Sequence, residues 1–182
     1  MKIERIINEQ YVDEKCRAYG ISQDEIQTEL VKKLIQKGIK ISTAESCTGG
    51  LVSKKITEVS GASEIFECGV CSYANEIKNR VLGVENSVFE KYGAVSYETA
   101  CQMAQGVKNL AKAQIGISTT GVAGPTGGTP EKPVGLVYMG VCVNDSVFAV
   151  RGEFFKTSGR ENIREAAAKT VLLLAFEEVS KL

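Results

Sequence analysis

The 182-residue chain has no histidine, no tryptophan, only three prolines and no net charge, with 22 basic residues against 22 acidic ones. The missing histidine excludes every Ser-His-Asp or Cys-His catalytic arrangement and every His-containing metal site. An enzyme made from this chain must draw its base from Lys, Asp, Glu or Tyr. The missing basic excess argues against a nucleic-acid partner, because phosphate backbones are met by lysines and arginines gathered on one face. No run reaches the ~18 apolar residues of a membrane span, so no membrane partner is expected. The opening MKIERIINEQYVDEKCRAYG is charged every few positions and lacks the apolar stretch of an export signal. The expectation is a cytoplasmic protein whose six cysteines, Cys16, Cys47, Cys68, Cys71, Cys101 and Cys142, are free thiols in a reducing compartment.

What is present is an ordinary hydrophobic fraction, 43%, on a length that suits one globular domain. Residues 1–22 read as a charged N-terminal extension, expected to be helical, and residues 23–182 as the domain itself. Ser22 is placed to cap an amphipathic helix that carries Ile26, Leu30, Leu34 and Ile35 and closes at Gly38. The stretch 39–45 favours a strand, 48–61 a helix opened by a glycine pair, 65–73 a second strand and 75–83 a short helix. Ser96 caps a helix over 96–113, and IGISTTGV forms a buried strand. Two further strands flank a turn at Asn144-Asp145, and a long helix follows from the Ser158 region with Ile163, Ala167, Val171, Leu174 and Val179 along one side. The fold class expected is α/β, a three-layer α/β/α sandwich with a mixed, partly parallel sheet, in which the closing hairpin supplies antiparallel edges.

In such sheets ligands bind beyond the carboxyl ends of the strands. Three loops gather there, and each carries polar groups. In Glu45–Gly50, Ser46 and Thr48 stand where a strand gives way to a helix, a place suited to a nucleophile near free N–H groups and equally to a plain helix cap. Cys47 is a rival nucleophile, or a small buried thiol. In Tyr73–Lys78, Lys78 is a base if burial lowers its pKa, and otherwise a solvated lysine. The loop 121–133 holds four glycines and all three prolines, and suits the cradling of a phosphate or ribose without matching a P-loop or a dinucleotide fingerprint. Arg160 and Arg164, one helical turn apart, suit a phosphate, or Arg160 is simply solvated. Cys68 and Cys71 lie three apart on a strand and point to opposite faces, so no metal site is expected.

Taken together, TAESCTGG (43–50), SGAS (60–63), SYANEIK (72–78), GAVS (93–96), GVAGPTGG (121–128), KPVGLVY (132–138) and GRENIR (159–164) resemble the CinA C-terminal domain family of nicotinamide-nucleotide amidohydrolases. The motifs run in the family's order from Asp24 onward. The leader lies outside the resemblance, as does the larger N-terminal domain that accompanies many members, so the stand-alone form is expected. The resemblance implies deamidation of nicotinamide mononucleotide to nicotinic acid mononucleotide with release of ammonia, in pyridine nucleotide salvage, with no metal and no cofactor. It implies Ser46 as nucleophile, Lys78 as its base, Tyr73 and Asn75 as groups that orient the lysine or the ring, and a homodimer. N–H groups around Cys47 and Thr48 would hold the oxyanion. Glu45, Gly49 and Gly121 complete the candidate binding set, while Gly124, Thr126 and Arg160 are assigned to the ribose phosphate on chemical grounds. Some members carry Asp where this chain has Thr126. The alternatives are a non-catalytic nucleotide-binding regulatory module of the competence/damage-inducible type, which needs no unprotonated lysine beside a serine, and the same chemistry on another pyridine amide.

Overall fold

Six strands, β1 (Arg5–Asn8), β2 (Ile41–Glu45), β3 (Phe66–Cys71), β4 (Ile115–Gly121), β5 (Leu136–Val143) and β6 (Ser146–Glu153), form one sheet in the computed structural model, which describes residues 5–157 and 159–182. The order across the sheet is β1-β6-β5-β4-β2-β3. β2 runs parallel to β3 and β4, β5 is antiparallel to β4 and β6, and β1 runs parallel to β6. The helices described are α1 (Gln10–Tyr19), α2 (Ile26–Lys37), α3 (Leu51–Thr57), α4 (Asn75–Leu82), α5 (Asn86–Tyr92), α6 (Tyr97–Ala111) and α7 (Arg160–Lys181).

The layering follows from the period-2 alternation of the strands. In β4, Ile115 and Ile117 join the core formed with α1, α2, α3 and α7. Gly116 and Ser118 face α6, where the Ser118 hydroxyl donates to the Ala100 carbonyl. α4, α5 and α6 close the second face with Leu82, Val88, Met103 and Val107, joined by Val84 from the link between α4 and α5. β4 and β5 are buried almost throughout, as strands covered on both sides must be. The result is the three-layer α/β sandwich. None of the six cysteines is in a disulfide, and no helix among the described residues is long and apolar enough to cross a membrane.

Several local expectations hold. Ser96 caps α6, its hydroxyl accepting from Thr99 N at 3.2 Å, and Asn144 takes φ 50° in the two-residue turn between β5 and β6. Others are corrected. Ser22 does not cap α2: its hydroxyl accepts from Asp24 N at 3.3 Å in a local turn over 23–25, and the helix begins only at Ile26. The helix foreseen from Thr48 begins at Leu51, because the preceding residues wrap around the Glu45 side chain. The hairpin is not an edge. The leader, expected to be helical, holds β1 as well as α1, and β1 takes the outer position beside β6. Only Ile7 of its four residues is buried, too little pattern to mark a strand. α5 is a further helix, which the sequence does not lead one to expect. Ser158 and residues 1–4 of the leader lie outside the described residues.

α7 is buried on more than the one side foreseen, with Leu172, Leu173, Ala175 and Phe176 inside as well. α1 and α2 cover its outer surface. This packing draws in Glu177, which accepts from Tyr11 Oη at 2.5 Å and pairs with Lys15 at 3.1 Å. The leader is thereby fastened to the last helix.

β6 runs parallel to β1, β2 and β4 because two antiparallel steps separate it from β4. The carboxyl ends of β2, β3, β4 and β6 therefore open on the same side, which collects the loops leading to α3, α4, β5 and α7. The position of α4 depends on Gly106 of α6, where a Cβ would overlap the Leu82 carbonyl. Gly106→Ala is expected to destabilise the fold by about 1–3 kcal/mol through this overlap, to be read as a lowered midpoint in thermal unfolding.

Candidate active site

Lys78 lies in the first turn of α4 and is 1% exposed. Helical side chains lean toward the helix N-terminus, so its amine reaches back over the end of β3. There Nζ lies 2.8 Å from the Ser72 carbonyl, 3.2 Å from the Tyr73 carbonyl and 3.1 Å from Ser46 Oγ. No carboxylate among the described residues pairs with it. Burial lowers its pKa from the ordinary lysine value. A neutral amine has two N–H bonds and one lone pair. With the two carbonyls taking the N–H bonds, the lone pair is left for the Ser46 hydroxyl, so the arrangement suits an amine that removes the serine's proton.

Ser46 follows directly on β2. Its N–H donates to the Thr119 carbonyl at 3.0 Å, and its own carbonyl accepts from Gly49 N at 3.2 Å. No backbone carbonyl among the described residues takes the N–H of Cys47 or Thr48. Cys47 Sγ is buried, which pushes its pKa up to about 12 and works against a thiolate there.

The helix end beside Ser46 is closed to anions. The Glu45 carboxylate, 1% exposed, accepts from five donors: Thr48 Oγ1 (2.7 Å), Gly50 N (2.9 Å), Val52 N (3.0 Å), Ser53 N (2.8 Å) and Ser53 Oγ (2.7 Å). Neither Ser46 nor Thr48 caps α3, and the free N–H groups expected for a ligand there are used by the chain itself. Gly49 and Gly50, at φ 59° and 96°, give the backbone the left-handed path around this carboxylate.

Ser46, Cys47, Tyr73, Asn75, Lys78, Gly121 and Arg160 line one cleft of about 210 Å³. Arg160 spans its mouth, donating from Nη1 to the Gly124 carbonyl (2.7 Å) and from Nη2 to Tyr73 Oη (3.2 Å). Glu45, Thr48, Gly49, Gly124 and Thr126 are not among the residues that line it. The first three form the support beneath Ser46, Gly124 supplies a backbone carbonyl to Arg160, and Thr126 is exposed on the outer loop. Arg164 does not join Arg160 at an open anion site. Its guanidinium donates to the Thr48 carbonyl (2.6 Å from Nη2) and pairs with Glu161 (2.8 Å). Thr120, one of the hydroxyls that the sequence offers beside the glycine loop, lines the cleft, and Ala94, Val95 and Ala123, to which the sequence assigns no role, supply the remaining wall. GAVS and GVAG contain these three, but their apolar side chains advertise no chemistry. Among the described residues, no group of three or more Cys, Asp or Glu side chains is disposed to hold a metal ion.

Comparison with known proteins bears on the family and the fold. The CinA C-terminal domain model matches residues 23–179. A competence-damage inducible protein of Thermoanaerobacter sp. (strain X514) is 58% identical over 131 residues, 71% of this chain and 32% of its own length. A CinA-like protein of Kosmotoga olearia is 47% identical over 154 residues, 85% of this chain and 37% of its own length. The chain thus spans about a third of the length of these curated relatives. Among solved structures, the competence/damage inducible protein CihA of Agrobacterium tumefaciens superposes with a TM-score of 0.83 at 35% identity, covering 87% of this chain and 95% of that one. A CinA superfamily protein of Klebsiella pneumoniae gives a TM-score of 0.83 at 28% identity over 88% of this chain and 99% of that one.

Lys78 is expected to titrate below the ~10.4 of a solvated lysine, to be followed through the ¹³Cε resonance of the labelled protein. A Lys78 resonance that titrates together with those of the surface lysines would contradict the neutral-amine arrangement.

Proposed function

The chain belongs to the CinA C-terminal domain family, and on that premise we propose that it is an amidohydrolase that converts nicotinamide mononucleotide to nicotinic acid mononucleotide and ammonia through a Ser46-Lys78 dyad. The observation that carries this reading is the 3.1 Å approach of a buried amine, unpaired with any carboxylate among the described residues, to a serine hydroxyl that lines a cleft. A module that only bound nucleotides would have no need of an amine held in this way.

In the first half of the reaction Ser46 Oγ attacks the carboxamide carbon and its proton passes to the lone pair of Lys78 Nζ. The carbonyl oxygen becomes an oxyanion, for which the N–H groups of Cys47 and Thr48, taken by no backbone carbonyl among the described residues, are the candidate donors. Collapse of this intermediate breaks the C–N bond, and Lys78 returns the proton to the departing nitrogen, which leaves as ammonia. In the second half water attacks the nicotinoyl ester, Lys78 takes the water's proton, and the ester C–O bond breaks. Ser46 Oγ then recovers the proton, and the carboxylic acid leaves and gives up its own proton to solvent.

The cleft is smaller than the ~300–1,000 Å³ of most small-molecule sites. It suits a single pyridine ring with its carboxamide, the ribose phosphate lying across the rim toward Arg160. Glu45 keeps the α3 end closed to the phosphate, so Arg160 is the cation the phosphate meets. No cofactor enters the scheme.

The test is ammonia release from nicotinamide mononucleotide in metal-free buffer. Ser46→Ala and Lys78→Ala are each expected to lower turnover by about 10³-fold or more. A wild-type protein that binds the nucleotide and releases no ammonia would overturn the reading. Turnover is also expected to fall with acidification through the lowered pKa of Lys78, because the protonated amine has no lone pair to offer. The low-pH limb of kcat/KM measures it.

A further inference from the structure

We propose that Glu45 is a positioning residue for Ser46: its buried carboxylate, tied to both sides of the 46–50 loop, holds the serine hydroxyl at the angle from which Lys78 can take its proton. The proposal rests on the amidohydrolase reading for its chemistry. It goes beyond that reading by giving a role to a carboxylate that does not line the cleft.

Ser46 sits between two anchored residues. Before it, the Glu45 carbonyl accepts from Ser72 N at 2.8 Å, which ties the end of β2 to the carbonyl-bearing segment that holds Lys78. After it, Thr48 Oγ1 reaches both the Glu45 carboxylate (2.7 Å) and Thr119 Oγ1 (2.6 Å), and Arg164 grips the Thr48 carbonyl. The carboxylate is therefore the link between the strand before the serine, the loop after it, and the first turn of α3. Its five donors use both oxygens.

Glutamine cannot reproduce this. An amide offers one acceptor oxygen and brings an NH₂ group, which would face N–H or O–H donors wherever it was turned. Aspartate keeps both oxygens but is one methylene shorter. The saturation of the carboxylate has a second effect. A carboxylate with five donors has no reason to seek the Lys78 amine, and an ion pair there would hold the amine protonated. Glu45 thus fixes the nucleophile while leaving the base neutral.

The test uses Glu45→Gln, Glu45→Asp and, as a control, Glu177→Gln. Glu177 is also a buried carboxylate, held by Tyr11 and Lys15. It lies 17 residues beyond Arg160 on α7, about 25 Å along the helix. Three readouts are taken: thermal unfolding, the rate at which a fluorophosphonate labels Ser46, and kcat and KM for nicotinamide mononucleotide. In Glu45→Gln the labelling rate and kcat are expected to fall roughly 10- to 100-fold, the range that misplacement of a reacting group produces, while KM stays within about threefold. Glu45→Asp should recover part of both rates. Glu177→Gln should lose stability and keep both rates.

Folded Glu45→Gln with the wild-type labelling rate would overturn the proposal. So would an equal loss of labelling in Glu177→Gln, because the effect would then be one of general stability. If Glu45→Gln does not fold, an aspartate variant that labels at the wild-type rate overturns the proposal just as firmly, and an intermediate rate supports it. Wild-type protein that is labelled at Ser46 but releases no ammonia would sink the amidohydrolase reading alone, with the labelling rates still deciding the role of Glu45.

Discussion

Two ionisable groups of opposite sign are buried at the carboxyl end of the sheet, and they are not paired with each other. Placing a charge in a protein interior is costly unless it is compensated, and the ordinary compensation would be a salt bridge between Lys78 and Glu45. Each is instead satisfied by dipoles. The lysine faces two backbone carbonyls and a hydroxyl, and the glutamate faces backbone N–H groups and hydroxyls. A salt bridge would have held the amine protonated and without a lone pair. Separate solvation by the backbone is the arrangement that leaves a lysine able to act as a base in a chain with no histidine.

The rest of the fold serves that arrangement. The parallel run of β2, β3 and β4 delivers Ser46 and the Ser72 and Tyr73 carbonyls to the same edge, and α4 returns its first turn over them. The reversal through β5 and β6 then brings α7 back to that edge with Arg160 across the mouth and Arg164 under the serine loop. A single helix therefore contributes to the rim of the cleft at one end and holds the N-terminal leader at the other, through Glu177 and Tyr11.

Much of this was legible in the chain. The alternation of strand-like and helix-like periods marks the α/β class, and Ser96, Gly38 and Gly83 mark helix ends because their conformations are locally determined. The three loops were found because polar and glycine residues cluster where strands end. What stayed hidden has a common cause. β1 carries too few apolar residues to show a period, and its place beside β6 is a contact between residues more than 140 positions apart. The roles of Ser46 and Thr48 were ambiguous between cap and nucleophile because both are local possibilities. The fold shows that neither residue caps α3, because Glu45, grouped in sequence with the candidate binding residues, turns inward onto that helix end.

The sequence by itself determined the absence of imidazole chemistry, the α/β class, and the residue types from which a base and a nucleophile had to be drawn. Periodicity and composition are local properties, and they survive without a fold. Only the tertiary structure decided that Lys78 is buried rather than solvated, that its amine meets Ser46 across 32 residues of chain, and that Glu45 rather than a ligand occupies the end of α3. A pKa and a hydrogen-bond partner belong to the surroundings of a group, and those surroundings are assembled from distant segments.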